Sequence, residues 1–397
     1  MSDWTLTPTA ITKLDNRFRD PRWHIDWVLV ALTMAITGFG LLNIYAARLQ
    51  VQRDNDFDVY SYVKRQGLAI GLGLIGAVVV CLIDYRKWRE YAVLLYAGTA
   101  LLLGGLFVFG NVTNGAQAWY PVAGGLQFQP SEFAKVTLVL VIAAYVSSMG
   151  ERMNLPRFMF AITLTVIPMG LTLMQPDLGT AMVFGAILMG TMLIGGAPLR
   201  LIGLATLVGV AAVVFILGTD KLKDYQEARL TGFINRTEID KPFEELTALE
   251  QEIVQVHNQI EQTETAIAVG GISGRGFTKG TQTNGRFVPE QHTDFIFSAV
   301  AEQFGFIGSA GLIGCYVLIV IRMWRIAMIS SDVLGSLIAI GALSLTVFQV
   351  FQNIGMNLGI MPVTGIPLPM MSYSPTATIA YLVLLGLVQN VHMRRYS

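Results

Sequence analysis

Apolar stretches of membrane-spanning length alternate with short polar segments along this chain. Runs long enough to cross roughly 30 Å of hydrocarbon begin near residues 27, 66, 91, 133, 157, 178, 199, 299, 332 and 375. This pattern predicts an all-α polytopic membrane protein with about ten transmembrane helices. The first run is followed by further spans and lacks an A-x-A cleavage pattern, so we expect a retained helix and not a signal peptide.

Composition favours the same class. Of the 397 residues, 53% are apolar and 14% are charged, which is too apolar for a soluble protein of this length. The formal net charge of zero gives no reason to expect a nucleic-acid partner. Cys81 and Cys315 lie inside apolar runs, where cysteine usually acts as a small hydrophobic residue. We therefore expect no disulfide and no metal site from them.

Lysine and arginine in the short loops predict the orientation, because cytoplasmic loops carry the excess of these residues. The short loops of one side carry four, Arg48, Arg53, Lys64 and Arg65. The other side carries fourteen: Lys13, Arg17, Arg19, Arg22, Arg86, Lys87, Arg89, Arg152, Arg157, Arg200, Arg322, Arg325, Arg394 and Arg395. The asymmetry predicts that both termini are cytoplasmic and that the number of spans is even.

The predicted organisation contains one long loop, which lies outside the cell. We expect a cytoplasmic N-terminal segment (1–26), helices 1 to 7 (27–217), a long extracytoplasmic loop between helices 7 and 8 (218–293), helices 8 to 10 (294–393) and a cytoplasmic C-terminus (394–397). Within the loop, a stripe at spacings of three and four predicts an amphipathic helix: Leu246, Leu249, Ile253, Val256, Ile260 and Ile267. Such a helix would lie on the membrane or bundle, or form a coiled coil with a partner.

Ionisable residues near hydrocarbon are costly, so each is a candidate for function. At the start of the fourth span, Ser131 fits an N-cap and Glu132 a favourable first-turn acid. Lys135 opposes the helix dipole there and needs another explanation. Two remain open: an ion pair with Glu132, three residues away, or a cation beside an outward cavity that binds an anionic group such as a diphosphate.

Polar residues at three other places are also candidates for either a structural or a functional role. Asp177 precedes the sixth span and either caps it or serves as a catalytic or binding group. Thr293 and Asp294 stand where the long loop re-enters the membrane, as N-cap and first-turn acid or as functional groups. Glu302 would lie inside the eighth span and therefore requires a partner.

Two connections between predicted helices are rich in glycine or proline, and this composition predicts their structure. Residues 270–280 carry glycines together with Arg275 and Lys279, which suit either an anion-binding loop or a plain flexible one. Residues 359–374 have no charge and contain three prolines, so we expect an ordered, tight connection. Ser374 and Pro375 then predict an N-cap followed by proline at the first helical position.

Four motifs together resemble one family. They are GTQTNGRFVPEQHTDFIF at residues 280–297, FQPSEFAK at 128–135, QPDLGT at 175–180 and MPVTGIPLP at 361–369. In their order along the chain, these motifs are similar to those of the SEDS proteins (shape, elongation, division and sporulation), and the resemblance extends over residues 27–393. The GTQ ahead of PEQHTD resembles the elongation branch more than the division branch. The chain departs from the family at Ser374–Pro375, where a Gly-Gly-Ser-Ser run is usual, and at Ala118, where many members have a basic residue.

The resemblance implies the SEDS fold and a peptidoglycan glycosyltransferase. Such an enzyme polymerises lipid II into β-1,4 glycan strands during cell elongation and rod-shape maintenance, and releases polyprenyl diphosphate. The implied partners are a class B penicillin-binding protein, which cross-links the product, and other membrane proteins of the rod complex. The implied location is the bacterial cytoplasmic (inner) membrane, with the active face outside. Alternatives are a lipid II flippase, a division-type polymerase and a non-catalytic scaffold.

The resemblance also implies the site residues. Asp294 falls on the family's catalytic aspartate, which would act as general base on the acceptor's GlcNAc 4-hydroxyl as that oxygen attacks MurNAc C1. Neutralisation of the diphosphate would come from Lys135 or from a divalent cation, Mg²⁺ or Mn²⁺, whose ligands the sequence does not identify. The residues expected to bind substrate are Lys135, Glu132, His292, Thr293, Asp177, Glu302, Arg275 and Lys279.

Overall fold

The computed structural model describes residues 24–55, 59–113, 116–122, 126–149, 153–217, 228, 231–233, 246–285 and 290–396. The predicted cytoplasmic N-terminal segment therefore falls almost entirely outside the described residues. So does most of the first half of the predicted exterior loop, together with residue 397.

Helices make up most of the described chain. The first seven are α1 (Trp27–Asn55), α2 (Val59–Leu82), α3 (Tyr85–Phe109), α4 (Pro130–Ser147), α5 (Leu155–Met174), α6 (Leu178–Ile194) and α7 (Leu199–Leu217). The remainder are α8 (Ala248–Gly270), the short α9 (Thr281–Gly285), α10 (Ile296–Met328), α11 (Val333–Asn357) and α12 (Pro375–Met393). Each of the ten predicted spans coincides with one of these helices.

Eight helices of the described chain are long and apolar enough to cross a membrane. They are α1 to α5 and α10 to α12. The two other predicted spans correspond to shorter apolar helices, Leu178–Ile194 and Leu199–Gly209. The prediction of an all-α polytopic membrane protein is thus confirmed.

Three helices form the centre of the bundle. Within their spanning segments, 89% of the residues of α12, 78% of α4 and 61% of α11 are buried, against 22% to 39% in α1, α2, α3, α5 and α10. Apolar side chains outside the centre instead face the surface, as expected of helices that meet lipid. Polar side chains on these three helices are shielded from lipid. The FQPSEFAK motif begins α4, and the MPVTGIPLP motif lies between α11 and α12.

A non-helical segment, residues 358–374, lies against this centre and is called the buried connection below. Its side chains at Leu368, Met370 and Met371 are buried. Because most residues of this segment are buried or half-buried, their backbone groups need partners from the protein. The carbonyls of residues 362, 366, 369 and 372 accept hydrogen bonds from Gln352, Asn353, Tyr316 and Gln66 at 3.1, 2.8, 2.5 and 3.3 Å. The predicted order and tightness of this connection are confirmed.

A small antiparallel sheet between α3 and α4 was not predicted. Its strands are β1 (Asn111–Thr113), β2 (Ala116–Val122) and β3 (Leu126–Phe128), in the order β1-β2-β3. Trp119 pairs with Asn111, and Tyr120 pairs with Phe128. The Tyr120 hydroxyl donates to the carbonyl of Leu102 at 2.8 Å, which fixes the sheet to α3.

The predicted amphipathic helix is present as α8 and packs on the bundle. Its N-terminus carries a capping box between Thr247 and Glu250. Val256 and Ile260 of its apolar stripe form a buried cluster with Phe295 and Val363. Because these two side chains of the stripe already pack against other residues of the same chain, the structure favours packing on the bundle over a coiled coil with a partner.

The glycine-rich loop after α8 docks onto a break in α10. Gly305 interrupts that helix with φ of 67°, a value that favours glycine. The N–H groups of Arg275 and Gly276 donate to the carbonyls of Glu302 and Gln303 at 2.9 and 3.0 Å, and the N–H of Phe306 donates to the carbonyl of Gly271 at 2.8 Å. The loop is therefore ordered by α10, and these two N–H groups are not available to bind an anion.

Gly40 provides a test of how tightly the buried connection is packed. A Cβ atom at Gly40 would lie 2.8 Å from the carbonyl oxygens of both Met370 and Met371, whereas one at Gly38 would meet no atom within 4 Å. Backbone atoms cannot move aside cheaply, so Gly40→Ala is expected to destabilise the fold by about 1–3 kcal/mol. Thermal unfolding in detergent measures the effect, with Gly38→Ala as control. Equal melting temperatures for the two variants would contradict it.

Candidate active site

The predicted catalytic residue lies in a turn ahead of α10, spanning residues 290–295. Glu290 has φ of 50°, and its carbonyl accepts from the N–H groups of Thr293 and Asp294, both at 3.1 Å. The N-cap of α10 is Phe295, so the prediction of Thr293 as N-cap and Asp294 as first-turn acid is wrong. The Thr293 hydroxyl instead donates to the Glu290 carbonyl at 3.1 Å.

Asp294 is held through its main chain. Its carbonyl accepts from the side-chain amides of Asn353 and Asn357, at 2.9 and 3.2 Å. Both asparagines are fully buried at the end of α11, and Asn357 also accepts from the N–H of Ser298 at 3.1 Å. The half-buried carboxyl group of Asp294 is thereby presented by a rigid backbone, as a catalytic group requires.

A cluster of cations and aromatic rings lies beside Asp294 and consists of Arg48, Tyr62, Arg65, His292 and Tyr373. The Arg48 guanidinium is 2.6 Å from His292 Nε2 and lies over the Tyr62 ring at 4.2 Å. The His292 ring meets Tyr62 edge to face and Tyr373 at a tilt, both at 5.5 Å between centroids. Arg65 hydrogen-bonds the Tyr373 side chain. We call this group the cation–aromatic cluster.

His292 is neutral in this cluster. Burial, followed by the neighbouring Arg48 charge, lowers the pKa of His292 to about 3. Since arginine only donates, Nε2 accepts from Arg48 and the ring proton resides on Nδ1. The His292 carbonyl accepts from the N–H of Tyr373 at 2.8 Å. His292 therefore fixes Arg48 on one side and the end of the buried connection on the other.

Glu132 and Lys135 form a buried ion pair in α4. Lys135 Nζ lies 2.7 Å from one Glu132 carboxylate oxygen and 2.8 Å from the other, and the two side chains are 3% and 6% exposed. The ion-pair explanation of Lys135 is thus correct. The predicted N-cap at Ser131 is wrong, because Gln129 is the N-cap and Pro130 occupies the start of the helix. The Ser131 hydroxyl is buried without a partner among the described atoms.

The ion pair faces a narrow cavity beneath the buried connection. The cavity is lined by Glu132, Lys135 and Gln349 from α4 and α11, and by connection residues that include Leu368 and Ser372. The QPDLGT motif also meets the connection, since a Cβ at Gly179 would lie 2.7 Å from the Thr364 carbonyl. Motifs that are far apart in the sequence thus converge on one segment.

Four other predicted substrate-binding residues take positions apart from the cation–aromatic cluster. Asp177 caps α6 through the N–H of Thr180 at 2.9 Å. The fully buried Glu302 accepts from the N–H groups of Gln282 and Thr283 at 2.7 and 2.8 Å, so its carboxylate serves the start of α9. Arg275 and Lys279 are exposed on the docked glycine-rich loop.

Arg48 and Arg65 were not among the predicted site residues. Their position could have pointed to them. Both are basic residues in the short loops of the side that has only four lysines and arginines, against fourteen on the other side. Basic residues are disfavoured in the short loops of that side, so a functional role would explain why they occur there. Metal ligands are a separate matter: no group of three or more His, Cys, Asp or Glu suited to hold a metal occurs among the described residues.

Helices, buried connection and polar site together define a polytopic membrane protein with a candidate active site at one end of its bundle. A family model described as "Cell cycle protein" (FTSW_RODA_SPOVE) matches residues 26–397. The chain therefore belongs to the FtsW/RodA/SpoVE family, which confirms the SEDS resemblance.

Individual relatives resemble the chain over nearly its full length. "Peptidoglycan glycosyltransferase MrdB" of Escherichia coli K12 is 32% identical over 384 residues, which cover 96% of this chain and 98% of that protein. A chain in the solved structure "Structural coordination of polymerization and crosslinking by a peptidoglycan synthase complex" has a TM-score of 0.75 at 32% identity, with coverages of 94% and 99%. Thermus thermophilus rod shape determining protein RodA has a TM-score of 0.68 at 31% identity, with coverages of 94% and 98%.

The buried ion pair can be tested by removing one charge and then both. Lys135→Met leaves the Glu132 carboxylate buried without its cation, which is expected to cost about 3–5 kcal/mol of unfolding free energy. The double variant Glu132→Gln/Lys135→Met removes both charges and should recover most of that loss. Chemical unfolding of the purified proteins measures both. A Lys135→Met protein as stable as the parent would refute the pairing.

Proposed function

We propose that this protein is a peptidoglycan glycosyltransferase that polymerises lipid II into β-1,4 glycan strands during cell elongation and releases polyprenyl diphosphate. One observation carries the proposal: the turn that holds Asp294 also holds His292, whose ring accepts a hydrogen bond from Arg48 at 2.6 Å. A cation from α1 is therefore held against the short turn that carries the carboxylate of Asp294. Membership of the family and the likeness to MrdB and RodA support the same activity.

Asp294 acts as the general base in this proposal. Its carboxylate takes the proton from the 4-hydroxyl of the acceptor GlcNAc while that oxygen attacks C1 of the donor MurNAc. The bond between C1 and the diphosphate oxygen breaks, its electron pair leaves with the diphosphate, and the sugar carbon inverts to give the β-1,4 bond. No general acid is needed, because a diphosphate is a good leaving group once its charge is balanced.

The cation–aromatic cluster supplies that balance. The guanidinium of Arg48 is held by His292 and Tyr62, and a fixed cation stabilises developing charge without reorganising during the reaction. Arg48 thereby takes the diphosphate role considered for Lys135, and Glu132 and Lys135 position the buried connection from within the bundle.

The remaining candidate residues keep supporting roles. His292 orients Arg48, Thr293 stabilises the turn, and Asp177 and Glu302 cap the helices that border the site. Arg275 and Lys279 present exposed charges on the docked loop, where they would meet the outward sugar and peptide of the substrate.

The proposed location is the bacterial cytoplasmic membrane, with both termini inside and the site facing outward. The residues found at the two ends of α1 and α10 support this orientation. Asp26 and Arg322 are paired at one end of α1 and α10, whereas Arg48 and Asp294 lie at the other end of these helices. The end with the termini holds the larger number of basic residues, as cytoplasmic ends do.

Asp294→Asn tests the proposed base. The amide keeps the size and main-chain contacts of Asp294 but cannot take a proton, so polymerisation of lipid II by the purified protein should fall about 10²- to 10⁴-fold. The melting temperature and lipid II binding should stay near those of the parent. Glu290→Gln, in the same turn, is the matched control and should retain activity.

Retention of near-normal polymerisation by a folded Asp294→Asn protein would overturn the assignment. The assay is run in detergent with labelled lipid II, where no bilayer is present to be crossed. Glycan strands formed there by the parent protein distinguish a polymerase from a flippase or a scaffold.

Arg48→Gln tests the proposed diphosphate contact. Loss of a hydrogen bond from a charged group costs about 1.5–3 kcal/mol, so lipid II should bind about 10- to 100-fold more weakly. The readouts are KM and inhibition by free polyprenyl diphosphate. Lys64→Gln removes an exposed cation from the same end and should change neither. Equal losses in both variants would indicate a general charge effect and contradict the assigned contact.

A class B penicillin-binding protein is the proposed partner, joined by other membrane proteins of the rod complex. The structure of a peptidoglycan synthase complex to which this chain is similar supports a pairing of polymerisation with cross-linking. We expect the partner to dock its single transmembrane helix on the bundle, since polymer needs cross-linking as it emerges.

The partner is expected to co-purify with the tagged protein from its native membrane in mild detergent. Polymerisation should rise when the two are combined. Full activity of the isolated protein, with no change on adding any such partner, would contradict activation by the partner.

A further inference from the structure

A basic pocket lies at the end of the bundle opposite Asp294. It is lined by the start of α1 and the ends of α10 and α12, with a volume of about 460 Å³. Its charged side chains include three guanidinium groups and one carboxylate, an excess of two positive charges: Arg322, Arg325, Arg395 and Asp26. Asp26 is paired with Arg322, whose Nε lies 2.9 Å away, so the excess resides on Arg325 and Arg395.

An apolar groove continues from this pocket between α1, α2 and α12. Ile25 and Trp27 line both spaces, which makes them neighbours. The groove has a volume of about 580 Å³, within the range of roughly 300–1,000 Å³ typical of ligand sites. Leu29, Val78 and Leu385 are among its walls. A charged mouth with an apolar interior suits an amphipathic ligand.

The length of the groove matches one leaflet of the bilayer. On α12 its lining extends from Leu382 to Met393, roughly 16 Å along a helix axis, and half of the hydrocarbon thickness is roughly 15 Å. A partner's transmembrane helix would need a surface about twice as long. The groove therefore fits an acyl chain better than a membrane-spanning segment.

Gln389 gives an independent indication of a polar ligand group. Its side chain is 7% exposed and lines the groove, yet neither its amide nitrogen nor its carbonyl oxygen has a hydrogen-bond partner among the described atoms. Leaving such a group unpaired in an apolar setting costs free energy. Gln389 lies on α12 between the basic end and the deeper groove, at the level where a lipid's ester carbonyl would accept from it.

We propose that this site binds one anionic phospholipid of the cytoplasmic leaflet. The phosphate lies against Arg325 and Arg395, an ester carbonyl accepts from the Gln389 amide, and one acyl chain fills the groove. The exposed Trp27 stands at the mouth, where tryptophan is favoured at membrane interfaces. Basic pockets between helices on the cytoplasmic side commonly hold such lipids.

The test compares two lipids that differ in headgroup charge alone. Purified protein is titrated with phosphatidylglycerol or phosphatidylcholine of identical acyl chains, and binding is read by native mass spectrometry together with the melting temperature. Phosphatidylglycerol is expected to bind more tightly and to raise the melting temperature more. Arg325→Gln/Arg395→Gln should weaken its binding by roughly 30-fold, since each basic residue near the surface contributes about 1 kcal/mol.

Lys87→Gln/Arg89→Gln is the matched control, because it removes two exposed charges from the same end of the bundle. It should leave phosphatidylglycerol binding unchanged. Equal binding of the two lipids by the parent protein, or equal losses in the two double variants, would overturn the proposal.

Val78→Trp tests the groove separately and keeps every charge. Val78 is 57% exposed at the groove wall, so the larger side chain can fill the groove without entering the core. Binding of phosphatidylglycerol should fall in this variant, and unchanged binding would refute the acyl-chain position. A photo-reactive residue at position 78 should give an adduct of phospholipid mass in native membranes. A protein adduct in its place would identify a different occupant and refute the lipid.

Discussion

The need to satisfy an irregular backbone inside a membrane protein governs the arrangement of this molecule. Residues 358–374 are not helical, and lipid offers no hydrogen-bond partner for the backbone groups that they leave unpaired. Side chains from α2, α10 and α11 therefore reach their carbonyls, through Gln66, Tyr316, Gln352 and Asn353. Each helix that contributes a donor is thereby fixed in position. The most irregular segment of the described chain is thus also the one that fixes its neighbours.

The candidate active site inherits its order from that segment. Asn353 donates both to the Ile366 carbonyl of the connection and to the Asp294 carbonyl, at 2.8 and 2.9 Å. The N–H of Tyr373 bonds the His292 carbonyl, so the 290–295 turn is tied to the connection at two points. Beneath it, the Glu132–Lys135 pair is stable only because each charge is the other's partner in a space closed to solvent. The main-chain position of Asp294 and the order of the buried connection therefore depend on the same hydrogen bonds.

Sequence patterns predicted the features whose cause is local. Span positions follow from run length, the α8 helix from its stripe, and Ser374 with Pro375 from the known preferences at helix starts. The caps at Ser131 and Thr293 failed for a physical reason. Pro130 fixes the start of α4 two residues earlier than predicted, and the Glu290 carbonyl with the α11 asparagines holds residues 293–294 in a turn. Long-range contacts there outweigh a local preference.

The cation–aromatic cluster was beyond prediction because Arg48 and His292 are 244 residues apart. The small sheet was missed because its strands are short and Pro121 stands within one of them, a position that argues against a strand. By contrast, the acid in the PEQHTD segment was found through a motif. A candidate carboxylate can be found in a short motif, whereas the contact between Arg48 and His292 forms only once the helices have assembled.

The packing of α8 couples the segment between α7 and α10 to the candidate active site. Val256 and Ile260 interlock with Phe295, the neighbour of Asp294, and with Val363 of the buried connection. Displacing α8 must either carry both of these residues along or open a void between them, at about 20 cal/mol for each Å² of void surface. A displacement of α8 would therefore be transmitted to the turn that carries Asp294 and to the buried connection at the same time.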